Sequence, residues 1–236
     1  MRKRGATQVE MIFSFILFIG VVTFALFFFR PAEGPDIADS TLPFVFRELK
    51  QNFSVQMDAF SVKINSMEGD VGAIEFSGIS GLVSRTEHQI NHEWAVLPSV
   101  VIGESVNFEP PAGTDFISIK LSEDFVPSDV PSKAARDGDY ELASSSTRSV
   151  ISEKRVLELT DKYLADYNNL KNQLKLPPVM NFGFKLSFSE DDSIEGFQEI
   201  PQGIDVFSKI KRFEVLRSKE GSEGELVFAD LSVTVW

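Results

Sequence analysis

The stretch from Met11 to Phe29, MIFSFILFIGVVTFALFFF, contains no charged residue. As an α-helix it reaches about 28 Å at 1.5 Å per residue, close to the ~30 Å hydrocarbon core of a bilayer. A helix buried in a globular core rarely runs so far without a polar face. The stretch is therefore expected to be a single retained transmembrane helix. A secretory signal peptide has a shorter apolar region, roughly 7–15 residues, followed by a small-residue cleavage site. Here bulky Phe27, Phe28 and Phe29 stand at the exit instead.

The flanks set an expected orientation. Arg2, Lys3 and Arg4 precede the run, and only Arg30 follows before acidic residues take over. The positive-inside bias puts the N-terminus in the cytoplasm and the large C-terminal part outside, a single-pass cell-membrane protein in contact with lipid. The chain carries a formal −12. Arg2, Lys3, Arg4 and Arg30 against Glu10 make +3, so the part from Pro31 onward carries −15. So acidic a domain repels nucleic acid, and no basic stripe is evident in it. There are no cysteines, which excludes disulfides, thiolate metal sites and cysteine nucleophiles.

Beyond the apolar run, Pro31, Gly34 and Pro35 break the helix. Ser40 or Thr41 caps an expected amphipathic helix that runs through Phe44, Leu49 and Phe53 to about Met57. Alternation then signals strands at Phe60–Val62–Ile64 and, most clearly, at Ile117–Ile119–Leu121. Gly69-Asp70 reads as a turn. Residues 73–76 give a further short strand, and 90–102 give one or two interrupted at Pro98. From Ser122 to Ser149, prolines and the run Ala143-Ser144-Ser145-Ser146-Thr147 suggest a surface linker. Val156, Leu159, Tyr163, Tyr167, Leu170 and Leu174 form one stripe of a helix over about 152–176, capped by Ser152 and stopped by Pro177-Pro178. Strands resume at Phe182–Phe188, at about Val206–Leu216 and at Leu226–Trp236.

The expected fold class is α+β. A transmembrane helix over 6–30 precedes a mostly antiparallel, β-rich exterior domain over 31–236 with two amphipathic helices. Two halves, about 36–126 and 150–236, are conceivable across the Ser/Pro-rich segment.

Candidate chemistry is sparse. His88 and His92, the only histidines, lie four apart. On a strand they are too distant for easy joint ligation, and they are expected to be ordinary surface residues. His92-Glu93 begins an H-E-x-x-H pattern that fails at Val96. Glu190, Asp191, Asp192 and Glu195 lack calcium-loop spacing and read as a solvated turn. Catalytic residues, cofactors and metal ligands are therefore not expected, and the chain is expected not to be an enzyme. Asn52-Phe53-Ser54 is an N-glycosylation sequon on the expected exterior side.

The basic residues, Gly5, then Ala6-Thr7-Gln8-Val9-Glu10 and the apolar run resemble the N-terminus of archaeal type IV pilin-like proteins. The resemblance covers about residues 2–29. It implies that a prepilin peptidase cuts between Gly5 and Ala6, and that residues 1–5 form a basic leader. It also implies that Glu10 of one subunit meets the new Ala6 amine of its neighbour and sets register during assembly. Copies of the chain or other pilin-like subunits, with the filament assembly machinery, would be its partners in a minor or pseudopilin-like structural role at the cell surface. The alternative is a signal-anchored single-pass surface protein whose exterior domain binds a ligand or has a hydrolase activity.

Overall fold

The computed structural model describes residues 4–28, 37–66, 72–90, 93–111, 113–127, 136–137, 139–219 and 224–236; within the first helix, the side chains described are those of residues 11–24. The Pro31–Pro35 break, the Gly69-Asp70 turn and His92 lie outside these residues. Two compact units are found, Met1–Thr41 and Leu42–Trp236.

The first unit contains helix α1, Arg4–Phe28. Among the described residues, no helix is long and apolar enough to cross a membrane. Within α1, residues 11–24 are not apolar enough to span, and Ser14, Gly20 and Thr23 interrupt their apolar surface. The expected transmembrane helix of pilin type is thus not supported.

The second unit is β-rich, a half-barrel sheet with few helices rather than the expected α+β fold. It begins within α2, Ile37–Phe53, whose Val45, Phe46, Leu49 and Phe53 recur at helical spacing and are buried. The helix stops at Phe53, short of the expected Met57. From Val55 the burial period becomes two, with Val55 and Met57 inside and Gln56 outside. Asn52 Nδ2 donates to Glu48 O at 2.8 Å and Ser54 Oγ to Lys50 O at 2.7 Å, so side chains occupy carbonyls that the ending helix leaves open.

The strands are β1 (Ser54–Ser66), β2 (Gly72–Glu75), β3 (Val83–Ile90), β4 (Glu93–Leu97), β5 (Ser99–Ile102), β6 (Ser105–Phe108), β7 (Phe116–Ser122), β8 (Arg136–Asp137), β9 (Asp139–Ser152), β10 (Phe182–Ser187), β11 (Ser193–Gly196), β12 (Phe207–Leu216) and β13 (Leu226–Val235). Nine form one sheet in the order β11-β10-β13-β12-β9-β1-β7-β3-β4; β5-β6-β2-β8 form a second. The large sheet consists of two antiparallel blocks. Among the described residues, their backbones pair only where β9 and β12 run parallel, through Val215↔Ile151 and Leu216↔Ser152.

The expected linker between two halves is not irregular throughout, since residues 139–152 form a strand. Its serine run lies in β9, which pairs with β1 from Ser54↔Ile151 to Ser66↔Asp139. Serines carry little strand propensity, and residues 141–149 are exposed, so no apolar alternation marks them.

Each block has its own cover. Phe46 and Phe53 of α2 meet Phe213 and Phe184 on β12 and β10. The small sheet covers the other block, closing a core of Val62, Ile74, Val106, Phe108, Ile117, Ile119 and Leu121. The expected long helix is broken in two, α3 (Glu153–Ala165) and α4 (Tyr167–Gln173). Asp166 separates them by accepting from Asn169 N at 3.0 Å as the cap of α4. Ser152 caps α3, as its sequence position suggests, accepting from Arg155 N at 3.4 Å.

Candidate functional site

The sequence placed its functional residues at the N-terminus. Gly5, Ala6 and Glu10 all fall within α1, and Glu10 follows Ala6 by four residues, one helical turn. Every described side chain of α1, from Met11 to Phe24, is exposed. Met11, Ile12, Phe13 and Val21 are 74%, 59%, 68% and 56% accessible, and at 3.6 residues per turn these positions lie around the whole circumference. Burying such side chains is worth about 1.5–3 kcal/mol each. Over residues 11–24 the few polar side chains, Ser14 and Thr23, do not gather on one face, and so exposed an apolar surface calls for cover.

The second unit brings together groups that the sequence did not single out. Its charge is acidic overall, yet Lys209, Lys211 and Arg212 follow one another along exposed β12. Lys209 Nζ lies 5.3 Å from the Phe46 ring centroid. Lys50 and Lys211 sit 5.4 and 5.6 Å from that of Phe213. Arg47 lies over Phe44 at 5.3 Å and pairs with Glu48. The aromatic faces hold these ammonium groups in place without removing their charge. This basic-aromatic patch corrects the reading of a domain without a basic stripe. Its sequence signal, Lys209-Ile210-Lys211-Arg212, is short, and α2 supplies the rest from far away in the chain.

The N-terminus of α3 is a polar hub. Arg155 donates to Asp124 at 2.6 Å, to Glu123 at 2.7 Å and to Ser54 O at 2.8 Å. Burial lowers the Arg155 pKa, but the carboxylates of Asp124 and Glu123 outweigh it and raise it overall. Glu153 accepts from Ser218 N at 2.6 Å and Lys219 N at 3.1 Å. Asn52, Asp124, Arg155, Glu158, Leu159 and Lys162 line an open cleft of about 250 Å³. Asn52 is exposed at its rim, with its amide turned to Glu48 O.

One further expectation changes. His88 is buried on β3, between Ile117 and Ala95 of the neighbouring strands, and is not a surface residue. Alternation with Ser84 and Thr86 hides it, because a buried row of small polar residues looks like a solvated one in sequence. In the acidic turn, Asp192 pairs with Arg217 at 2.9 Å and Glu195 with Lys185 at 3.4 Å. Among the described residues, no group of three or more histidine, aspartate or glutamate side chains is placed to hold a metal. No family model, curated protein or solved structure matches the chain.

Proposed function

We propose that the chain is a non-catalytic structural subunit that joins copies of itself, or kindred subunits, by packing α1 against like helices. The observation that carries this reading is the exposure of every described side chain of α1. Helix-on-helix packing would cover that surface, and nothing in the role needs the helix to cross a bilayer. The N-terminal pattern adds the chemistry of register. Hydrolysis of the Gly5–Ala6 bond leaves an ammonium on Ala6 one turn from Glu10, and apolar surroundings favour pairing that ammonium with a neighbour's carboxylate.

The test is co-purification of two differently tagged full-length copies from mild detergent. The copies are expected to come down together, and removal of residues 1–35 from one of them should end this. Full-length copies that stay monomeric at high protein concentration would overturn the role.

A further inference from the structure

Among the described residues, the backbones of β9 and β12 pair only at their C-terminal ends, through Val215↔Ile151 and Leu216↔Ser152. From there toward their N-termini, among the described residues, neither strand has a partner on the side facing the other. The sheet is forked, with two backbone edges that no described residue pairs facing each other across the opening.

The register fixes which groups of β9 are left over. Ile64 N donates to Asp115 O at 2.9 Å, so Val62, Phe60 and Asp58 of β1 turn their backbone toward β7. The residues between them, Ser61, Ala59 and Met57, turn toward β9 and meet Ser144, Ser146 and Arg148. The N–H and C=O groups of Ser145, Thr147 and Ser149 therefore point into the fork. The next residue in that series is Ile151, which is where β9 does meet β12. A row of unpaired backbone groups at that spacing is a template for an added strand.

The walls of the fork indicate what kind of strand. The β12 side carries exposed Lys209, Lys211 and Arg212, with Lys50 beside Lys211 over the Phe213 ring. Glu214, at the closed end, is already paired with Arg148 at 2.9 Å. Residues on an added strand alternate between the two faces of the sheet. Lys209 and Lys211 then stand beside its side chains on one face and Arg212 beside those on the other.

We propose that the β9–β12 fork is a strand-accepting site for an extended, carboxylate-rich segment of a partner polypeptide, bound by backbone addition to β9 and by charge to β12. This site belongs wholly to the second unit and does not rest on the assembly role of α1.

Fluorescence anisotropy on the full chain in non-ionic detergent tests it, with a fluorescein-labelled octapeptide of alternating Glu and Val as the probe. Saturable one-to-one binding is expected. Methylating alternate backbone nitrogens of the peptide, which keeps its charge and side chains, should weaken binding at least tenfold. An alternating Lys and Val peptide should bind at least tenfold less tightly. In the protein, Ser145→Pro removes an N–H that points into the fork and not one bonded to β1, and it should weaken binding similarly. Lys209→Glu with Lys211→Glu should do the same without touching β9. Equal binding of the methylated peptide would overturn backbone addition and leave only a charged surface. Equal binding of the Lys and Val peptide would overturn the acidic partner, and absence of binding by the Glu and Val peptide would overturn the site.

Discussion

Arg217 Nε lies 3.4 Å from Glu153 Oε2, and both side chains are almost wholly buried, 7% and 4% exposed. The pair sits one residue beyond Leu216↔Ser152, the last contact of the parallel seam that joins the two antiparallel blocks. Two residue pairs are a weak joint for so large a sheet. Glu153 extends it by accepting from Ser218 N and Lys219 N, and Arg217 extends it by reaching Asp192 and lying 3.7 Å over the Phe188 ring. From the same first turn of α3, Arg155 ties the helix end to Ser54 O, at the start of β1 in the other block. The seam is held by side chains more than by the ladder.

Breaking this pair on one side should therefore be costly. Arg217→Ala leaves the Glu153 carboxylate buried without its cation, and a loss of about 3–5 kcal/mol is expected. Glu153→Gln keeps an acceptor for Ser218 N and Lys219 N and should cost less, about 1–3 kcal/mol. Urea denaturation midpoints read both losses, and Glu153→Gln combined with Arg217→Met should recover part of the Arg217→Ala loss.

Asp192 gives the same region a pH signature. Partial burial pushes its carboxyl up, but the hydrogen bond and charge of Arg217, and then Lys219, prevail and hold it below the ordinary 3.8. A folded-state value below the unfolded one contributes stability that is present above pH 3.8 and is lost as pH falls through the folded value. Asp192→Asn should flatten the acid limb of the stability curve in that window and change little of its slope above pH 5. An acid limb identical to wild type would show that the pairing is not formed in solution.

What could be read from the sequence tracks how each residue is buried. Ile117–Leu121, Phe182–Leu186 and Leu231–Val235 alternate large apolar residues with polar ones, and each lies in a strand. β9 gave no such signal, because its serines are exposed and only its last residues enter a core. Asp166, a polar residue within an otherwise continuous stripe, broke the helix that the apolar spacing predicted whole. Glu153 and Arg217 could not be singled out, since 64 residues separate them and their types are common on surfaces. The N-terminal pattern was legible, but the membrane crossing inferred from it is not supported by the described part of α1.

Gly196 tests the packing of α3 on the sheet. A Cβ there would come within 2.7 Å of Phe184 Cε1 and 3.1 Å of Tyr163 Cγ. Tyr163 is pinned, since it is buried and its hydroxyl donates to Phe182 O at 2.8 Å. Gly196→Ala should therefore cost about 1–3 kcal/mol by overpacking, measured by thermal unfolding. Gly203→Ala is the matched control for handling, as its site is open, although its positive φ of 82° adds some strain of its own.

The second unit contains all of the buried apolar residues from Val45 to Trp236. A fragment beginning at Asp36 should unfold in one cooperative transition and show mainly strand signal by circular dichroism. A disordered spectrum would mean that its core is incomplete without the preceding residues.

Glu10 decides how far the assembly reading holds. If leader removal occurs, the mature chain loses residues 1–5, and intact mass reports it directly after co-expression with a prepilin peptidase. A bulky residue at Gly5 should block the cut. On the proposed assembly role, Glu10→Gln in the cleaved protein would remove the charge that faces a neighbour's Ala6 ammonium but leave the apolar surface of α1 unchanged. Losing one partner of a desolvated charge pair costs about 2–5 kcal/mol, so co-purification of tagged copies should fall at least tenfold. Glu10→Asp keeps the charge on a shorter arm and should fall between the two. If the carboxylate is only solvated at the helix end, where it favours the positive end of the helix dipole, Glu10→Gln will assemble as wild type does. Undiminished co-purification of the Gln variant would remove Glu10 from the assembly contact while leaving the packing of α1 itself to be judged by the truncation.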